Sequence, residues 1–212
     1  MKYEGIIFDL DGVICSTDHY HYLAWKALAD RLGIPFNETD NNRLRGVSRM
    51  ESLNIVLEKS NTSYTEEEKV AMATEKNDTY RQLLHQMSPA DLSQEVKETL
   101  DALRSRGLKL AIGSSSKNTP FILERLGLGG YFDAVADGNC ITHSKPDPEV
   151  FLKAAETIDL APGVCLVVED ARAGVEAAVA GGFDCAAIGD ARDDERARWH
   201  LNTFADLLAC AE

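Results

Sequence analysis

The 212-residue sequence lacks the features of an extracellular or membrane protein. Its five cysteines are scattered and odd in number, and none stands in a Cys-x-x-Cys pair. This spacing argues against a disulfide framework or a zinc site and favours a reducing compartment. No apolar run approaches the length that spans a bilayer, and no secretory signal pattern opens the sequence. We therefore expect a cytoplasmic protein without a membrane partner.

Basic residues are also in deficit. The chain has 22 lysines and arginines against 35 acidic residues, which gives a formal net charge of -13. A surface of this charge repels nucleic acid, so we expect no nucleic-acid partner. A ligand that carries phosphate can still bind wherever the chain gathers its cations locally. The apolar content of 44% is that of a globular protein, and the length allows one α/β domain with an insertion or two small domains.

The stretch from about residue 16 to 87 is predicted to be all helical. A helical period runs over Asp18–Leu32. Ser48–Glu51 and Thr65–Glu68 both have the form of a capping box, and apolar residues at helical spacing follow each of them. A polar stretch, Asn37–Arg45, separates the first helix from these two.

Strands and helices alternate in the rest of the chain. The first predicted strand is the apolar run from Gly5 that ends in Asp9 and Asp11. The other predicted strands are Leu108–Gly113, Ala134–Ala136, Val164–Val168 and Cys185–Ile188. The predicted helices are Gln94–Arg106, Pro120–Leu126, Pro148–Ile158, Ala173–Ala180 and Thr203–Ala209. This alternation implies a parallel sheet with helices on both faces. The predicted fold is thus α/β, with a doubly wound parallel-sheet (Rossmann-like) core over 1–15 and 88–212 and an inserted all-helical cap domain over 16–87.

Two carboxylates, Asp9 and Asp11, end the first apolar run. In an extended segment, side chains at i and i+2 point to the same side, and Gly12 then allows a sharp turn. Because unpaired buried charge is expensive, these acids require a cation, and a hard divalent ion such as Mg²⁺ suits oxygen ligands. Taken alone, the pair could equally be a polar strand end that faces solvent.

Polar side chains follow other predicted strands as well. Ser114–Asn118 leads into a helix start, which favours phosphate, and Lys145 lies in a loop before another helix. Glu169 and Asp170 end the strand that begins at Val164. Taken singly, the serines could cap a helix, Lys145 could be a surface residue, and the two acids could complement a helix dipole. Because ligand sites in parallel sheets lie at the carboxyl ends of the strands, the set together predicts phosphoryl transfer with a bound divalent cation.

These groups, in this order, resemble the four motifs of the haloacid dehalogenase superfamily. The motifs are Asp9-Leu10-Asp11-Gly12-Val13, Ser114, Lys145-Pro146 and Glu169-Asp170. The resemblance spans the whole chain and is greatest to the β-phosphoglucomutase-like subfamily. The stretches that carry it include Ala24–Leu28, Arg45–Arg49, Lys76–Asp78, Ser88–Asp91 and Gly130–Ala134.

The resemblance implies an Mg-dependent phosphosugar mutase that interconverts β-D-glucose 1-phosphate and D-glucose 6-phosphate. A phosphatase of the same superfamily, acting on a small phosphorylated sugar or acid, is the alternative. A non-catalytic phosphate-receiving domain is a third reading, but such domains have no use for a helical cap.

The resemblance also implies roles for the core residues. Asp9 would be the nucleophile that becomes an aspartyl phosphate, and Asp11 the general acid/base. Ser114 and Lys145 would hold the oxygens of the phosphoryl group in transfer. The implied ligands of one Mg²⁺ per chain are Asp9, Asp11 (through its backbone carbonyl), Glu169 and Asp170.

Further residues are implied to bind the substrate, a small sugar phosphate, with glucose 1,6-bisphosphate as the priming intermediate. They are His21, Trp25, Arg45, Gly46, Val47, Ser48, Arg49, Lys76, Ser115, Ser116, Lys117 and Asn118. Arg49 suits the phosphate that is not transferred, because its guanidinium fork can make paired bonds. The ordinary alternatives are that Trp25 only packs, that His21 is a polar helix residue and that Lys76 is solvated. We expect the protein to be a monomer.

Overall fold

The computed structural model describes residues 2–45 and 47–211. The chain divides into two compact units, Met1–Ser16 with Ser88–Glu212 and Thr17–Met87. We refer to them as the sheet unit and the helical unit. Gly46, one of the predicted substrate-binding residues, lies outside the described residues.

The sheet unit is built on a six-stranded sheet in the order β3-β2-β1-β4-β5-β6, in which every pair of neighbours is parallel. The strands are β1 (Gly5–Phe8), β2 (Lys109–Gly113), β3 (Ala134–Ala136), β4 (Cys165–Glu169), β5 (Asp184–Ala187) and β6 (Trp199–His200). All residues of β1 and β4 are buried, as the central strands of a parallel sheet require. The sequence predicted every strand except β6, whose two residues are too few to form a pattern.

The three central strands are in register at their carboxyl ends. Phe8 of β1 pairs with Ile112 of β2 on one side and with Val168 of β4 on the other. Residues that follow these three positions therefore come out at the same level of the same edge, where ligands bind in sheets of this kind.

The helical unit contains four helices in its described part. They are α1 (Asp18–Leu32), α2 (Glu38–Asn42), α3 (Arg49–Leu57) and α4 (Glu66–Leu84). Their apolar faces meet in a core of their own, in which Trp25, Leu28, Leu53 and Met72 are buried. The bounds of α1 are those that the sequence predicted.

The helix α2 has no counterpart in the sequence prediction. It lies within the polar stretch Asn37–Arg45 and has only Asn41 buried, so it shows no apolar period. A reciprocal capping box forms it instead, since Asp40 N–H donates to Asn37 Oδ1 and Asn37 N–H donates to Asp40 Oδ2, both at 3.0 Å.

Helices cover both faces of the sheet. The helices of the sheet unit are α5 (Gln94–Ser105), α6 (Thr119–Arg125), α7 (Glu149–Thr157), α8 (Arg172–Ala180) and α9 (Leu207–Cys210). Ile7 packs in a cluster with Phe151 of α7 and Val175 of α8. Its neighbour Phe8 points to the opposite face and stacks on Phe204 with ring centroids 5.8 Å apart. The predicted fold class, a doubly wound parallel sheet with an all-helical insertion, is confirmed.

All five cysteines are free thiols, and only Cys140 is exposed. Within residues 2–45 and 47–211, each helix is too short or too polar to cross a membrane.

Candidate active site

The predicted residues fall into two groups, one in each unit. In the sheet unit, Asp9, Ser114 and Glu169 stand at the carboxyl ends of β1, β2 and β4. The backbone ladder extends to them, since Asp9 N–H donates to Val168 O at 3.0 Å and Ser114 N–H donates to Ala136 O at 3.0 Å. Residues far apart in the chain are therefore neighbours at this edge because the strands end in register.

Lys145 lies between two of these carboxylates. Its Nζ atom donates to Asp9 Oδ1 at 2.5 Å and also to Glu169 Oε1, and the side chains of Lys145 and Glu169 are almost fully buried. Burial alone would lower the pKa of Lys145, but the charges of Asp9 and Glu169 outweigh it and raise this pKa above the ordinary value. The lysine is therefore a permanent cation beside Asp9. The alternative that Lys145 is a surface residue is wrong.

Glu169 is held by donors on both of its oxygens. Lys145 binds Oε1, and the N–H of Ala171 donates to Oε2 at 3.0 Å. The fit depends on Gly174 in the first turn of α8, because a Cβ atom there would lie inside contact distance of the Glu169 carboxylate. Gly174 was not singled out in the sequence, since a glycine in a helix carries no sign of the tertiary neighbour for which it leaves room.

The carboxyl group of Asp170 is subject to the negative charges of the other acidic side chains at this edge. Burial, and then the charges of Asp9, Glu169 and Asp11, raise the pKa of Asp170 to about 8. One lysine does not neutralise four acids. Among the residues that the structure describes, no side chain or N–H group donates to the Asp170 carboxylate, which lies against the backbone of Gly12, where a Cβ atom would collide with it. Gly12 has φ 90, a conformation that glycine adopts without strain.

The donor set at this edge fits a hard divalent cation. It consists of carboxylate oxygens whose negative charge Lys145 only partly neutralises. Mg²⁺ binds oxygen ligands of this kind and would neutralise more of that charge. Since both oxygens of Glu169 are already engaged by protein donors, Asp9 and Asp170 are the carboxylates best placed to hold the ion, with Asp11 beside them.

We call the segment Ser114–Asn118 the phosphate loop. Two of its serine hydroxyl groups accept backbone N–H groups of the same segment. Ser116 N–H donates to Ser114 Oγ and Asn118 N–H donates to Ser116 Oγ, both at 3.2 Å. Ser114 and Asn118 are buried, whereas Lys117 is exposed. The Oγ atom of Ser115 is buried and has no partner among the described residues. The loop thus carries the hydroxyl and ammonium groups that an anion site requires, and its first residue, Ser114, follows β2 at the edge where Asp9 follows β1.

In the helical unit, Lys76 is buried, so the alternative that it is solvated is wrong. Its Nζ atom lies 2.8 Å from His21 Nδ1 and 4.6 and 4.7 Å from the ring centroids of Trp25 and Tyr80. His21 in turn stacks on Tyr80 with centroids 4.1 Å apart. Removal of the imidazole from solvent, and then the charges of Lys76 and Arg49, hold the pKa of His21 well below its usual value. His21 is therefore neutral near pH 7 and can accept a hydrogen bond from Lys76.

The two predicted arginines differ in their surroundings. Arg45 pairs with Asp18 through Nη2 at 2.9 Å, whereas Arg49 forms no ion pair with any residue of the described chain. Arg49 is half-buried, and this burial lowers the pKa of its guanidinium somewhat, although the charge of Asp78 opposes the effect. Ser48 caps α3 beside it by accepting the N–H of Glu51 at 3.3 Å. Val47 is half-buried like Ser48.

Comparison with known proteins gives one family for this arrangement. The model of the family described as haloacid dehalogenase-like hydrolase matches residues 3–182. The chain is 40% identical over 188 residues to the β-phosphoglucomutase of Bacillus subtilis, a match that covers 88% of this chain and 83% of the relative. It is 33% identical over 184 residues to a phosphorylated carbohydrates phosphatase of Thermotoga maritima, covering 85% and 82% of the two chains.

A solved structure gives the same result for the fold. The crystal structure of β-phosphoglucomutase from Clostridium difficile superposes with a TM-score of 0.89 at 37% sequence identity, and the match covers 97% of this chain and 93% of that one. The likeness thus includes both the sheet and the helical insertion.

Proposed function

The chain belongs to the haloacid dehalogenase-like hydrolases, and from this premise we propose that it is a β-phosphoglucomutase. It would interconvert β-D-glucose 1-phosphate and D-glucose 6-phosphate through β-glucose 1,6-bisphosphate and an aspartyl-phosphate enzyme. The 40% identity to the Bacillus subtilis mutase, which extends over 88% of the chain, supports this assignment.

Asp9 is the proposed nucleophile. Its carboxylate oxygen attacks the phosphorus of the sugar phosphate, the bond from phosphorus to the sugar oxygen breaks, and Asp11 donates a proton to that oxygen. In the reverse direction, Asp11 removes the proton of a sugar hydroxyl, and this oxygen takes the phosphoryl group from Asp9. A bound bisphosphate therefore primes the enzyme by leaving one phosphoryl group on Asp9.

Ser114 and Lys145 are proposed to bind the oxygens of the phosphoryl group in transfer. The ammonium of Lys145, already 2.5 Å from Asp9 Oδ1, places a fixed positive charge where negative charge accumulates. Asp9, Asp11 and Asp170 would hold one Mg²⁺, which supplies additional positive charge at the same point. Glu169 keeps Lys145 in place.

One observation carries the choice of a mutase, namely the half-buried Arg49 that has no ion pair among the described residues. A half-buried cation without an anionic partner is a ready site for a phosphate. A mutase must bind the phosphate that is not transferred, because it has to present a sugar hydroxyl to the aspartyl phosphate in place of water. Lys76 and His21 place further hydrogen-bonding groups in the same unit, and burial, followed by the charges of Lys76 and Arg49, lowers the pKa of His21.

The alternative is a phosphatase acting on a small phosphorylated sugar, and the 33% identity to the Thermotoga maritima phosphatase favours it. Both enzymes form the same aspartyl phosphate and differ in what attacks it. The deciding experiment is incubation with β-glucose 1-phosphate, Mg²⁺ and a trace of glucose 1,6-bisphosphate, followed by assays of glucose 6-phosphate and free phosphate. Accumulation of glucose 6-phosphate supports the mutase, and release of phosphate alone would establish the phosphatase.

A further inference from the structure

The loop that follows β3, residues Asp137–Cys140, lies against the phosphate loop, and we call it the bracing loop. Gly138 donates its N–H to Ser116 O at 3.2 Å. Asn139 donates from Nδ2 to Lys117 O at 3.0 Å. Two successive peptide groups of the phosphate loop are thus bound by two successive residues of the bracing loop.

Gly138 permits this close approach through its lack of a side chain. A Cβ atom at this position would fall inside contact distance of Ser115 O and 3.0 Å from Lys117 N, both backbone atoms that cannot move away freely. Gly138 is not among the glycines with positive φ. The position therefore requires glycine for space and not for backbone conformation, and any side chain would push the two loops apart.

Asn139 is also held in place by Asp137, within the bracing loop itself. Its N–H donates to Asp137 Oδ1 at 2.8 Å, and its Nδ2 donates to Asp137 Oδ2 at 3.1 Å. Asp137 is 7% exposed, so this anchor is a buried carboxylate. With its side chain held at Asp137, the amide loses little further freedom when it binds Lys117 O.

The same connection between β3 and α7 carries Lys145 at its other end. There Glu149 Oε2 accepts the N–H groups of Thr142 at 2.9 Å and His143 at 2.7 Å, and Glu149 Oε1 pairs with Lys153 at 2.9 Å. His143, Asp147 and Glu149 lie close enough to suggest a metal site, but the oxygens of Glu149 already serve these donors. One segment therefore both braces the phosphate loop and positions the lysine beside Asp9.

We propose that Gly138 and Asn139 are positioning residues that hold the phosphate loop in its binding conformation and so set the affinity for the sugar phosphate group that is not transferred. The proposal rests on the proposed function, in which Ser116, Lys117 and Asn118 bind that group. A loop held in place before binding loses less conformational entropy when the ligand arrives. Ser114, by contrast, is held by the strand ladder through Ala136 O, so the transfer of the phosphoryl group itself does not depend on the brace.

The test uses Asn139→Ala, with Asn202→Ala on the same unit as the matched control, because Asn202 is also exposed and lies after β6. We expect Asn139→Ala to raise KM for β-glucose 1-phosphate about tenfold, because the hydrogen bond to Lys117 O is lost. The change in kcat should be far smaller. Hydrolysis of acetyl phosphate, which has no second phosphate, should stay at the wild-type rate. Gly138→Ala should act in the same direction and more strongly.

Three results would overturn the proposal: equal KM values in Asn139→Ala and Asn202→Ala, a parallel fall of both reactions, or unchanged hydrogen exchange in the phosphate loop. The last measurement needs no activity. Amides of residues 115–118 should exchange faster in Asn139→Ala than in the control. A wild type without mutase activity would refute the proposed function alone, and the exchange rates would still decide whether the brace exists.

Discussion

The ammonium group of Lys145 lies 2.5 Å from the Oδ1 atom of Asp9, although 136 positions separate the two residues in the chain. The approach places the one buried lysine of the sheet-unit site against the proposed nucleophile, with Glu169 on its other side. Lys145 therefore contributes to the stability of the fold and, under the proposed function, to the chemistry at Asp9.

Asp9→Asn should abolish phosphoryl transfer while the fold stays intact. The amide is nearly isosteric with the carboxylate, but it is a far weaker nucleophile and carries no charge for a cation. Turnover of β-glucose 1-phosphate and of acetyl phosphate should both fall below detection, while the circular dichroism spectrum is unchanged. Asp193→Asn, at a side chain that is 87% exposed, is the control and should be fully active. Substantial turnover by pure Asp9→Asn would remove Asp9 from the role of nucleophile.

Lys145→Met should remove activity and also destabilise the fold. Without the ammonium group, Asp9 and Glu169 remain as buried carboxylates with no counter-charge, and breaking a buried ion pair typically costs about 3–5 kcal/mol. Lys97→Met breaks an exposed pair with Asp101 and should cost at most about 1 kcal/mol. Chemical denaturation of the two variants measures the difference, and equal stabilities would contradict the buried arrangement.

The pH dependence of this ion pair has a definite sign. Because the folded-state pKa of Lys145 is raised above the ordinary 10.5, its contribution to stability is fully present below pH 10.5 and is lost as the pH rises beyond that value. Nitrogen-15 NMR of the lysine side chains should therefore show no titration of the Lys145 ammonium group between pH 7 and 9. A titration within that interval would mean that Lys145 is not paired as described.

Asp170→Asn should stabilise the protein in the absence of divalent cations and weaken its response to them. The carboxyl titrates at about 8 in the folded state against an ordinary 3.8, so its ionisation destabilises the fold progressively as the pH rises from 4 to 8. In chelator at pH 8, the variant should melt about 4 °C or more above the wild type, and the gain should vanish at pH 4. In Mg²⁺, Asp170→Asn should need a higher concentration of the ion for activity. Full wild-type activity in excess chelator would refute the metal requirement.

Arg49→Ala should reduce mutase efficiency without touching the chemistry at Asp9. Loss of one charge-assisted contact to the distal phosphate should cost about 2–3 kcal/mol, or roughly two decades in kcat/KM for β-glucose 1-phosphate. Acetyl phosphate hydrolysis, which needs no distal anchor, should change little. Arg43→Ala is the matched control, because Arg43 lies in the same unit but is engaged by Glu58. If Arg49→Ala lowered both activities equally, the phosphatase would replace the mutase as the proposed function.

Sequence patterns predicted those parts of the molecule that depend on periodicity or on strand ends. Asp9, Ser114 and Glu169 each follow a run of buried apolar residues, so the sheet topology brings them to one edge. The sequence predicts the helix α1 to its terminal residues because its helical period ends at Leu32, directly before Gly33, which caps the helix. It does not predict the helix α2, because a capping box between Asn37 and Asp40 forms it with almost no apolar face.

Features that depend on tertiary approach left no pattern to read. A lysine in a helix is usually exposed, yet the ammonium group of Lys76 lies against His21, Trp25 and Tyr80. Gly138 resembles any loop glycine until Ser115 O is placed against it. In both cases the partner comes from a distant part of the chain, and periodicity within one segment carries no information about it.

The helical unit is one uninterrupted stretch, Thr17–Met87, with its own apolar core, and the chain leaves and re-enters the sheet unit once. In evolutionary terms this makes the stretch a module. A single recombination event that replaces this stretch exchanges Arg49, Lys76 and His21 together. Asp9, Lys145 and Asp170 lie outside it and are retained. Under the proposed function, such an exchange would change the groups that bind the substrate and leave the residues of phosphoryl transfer in place.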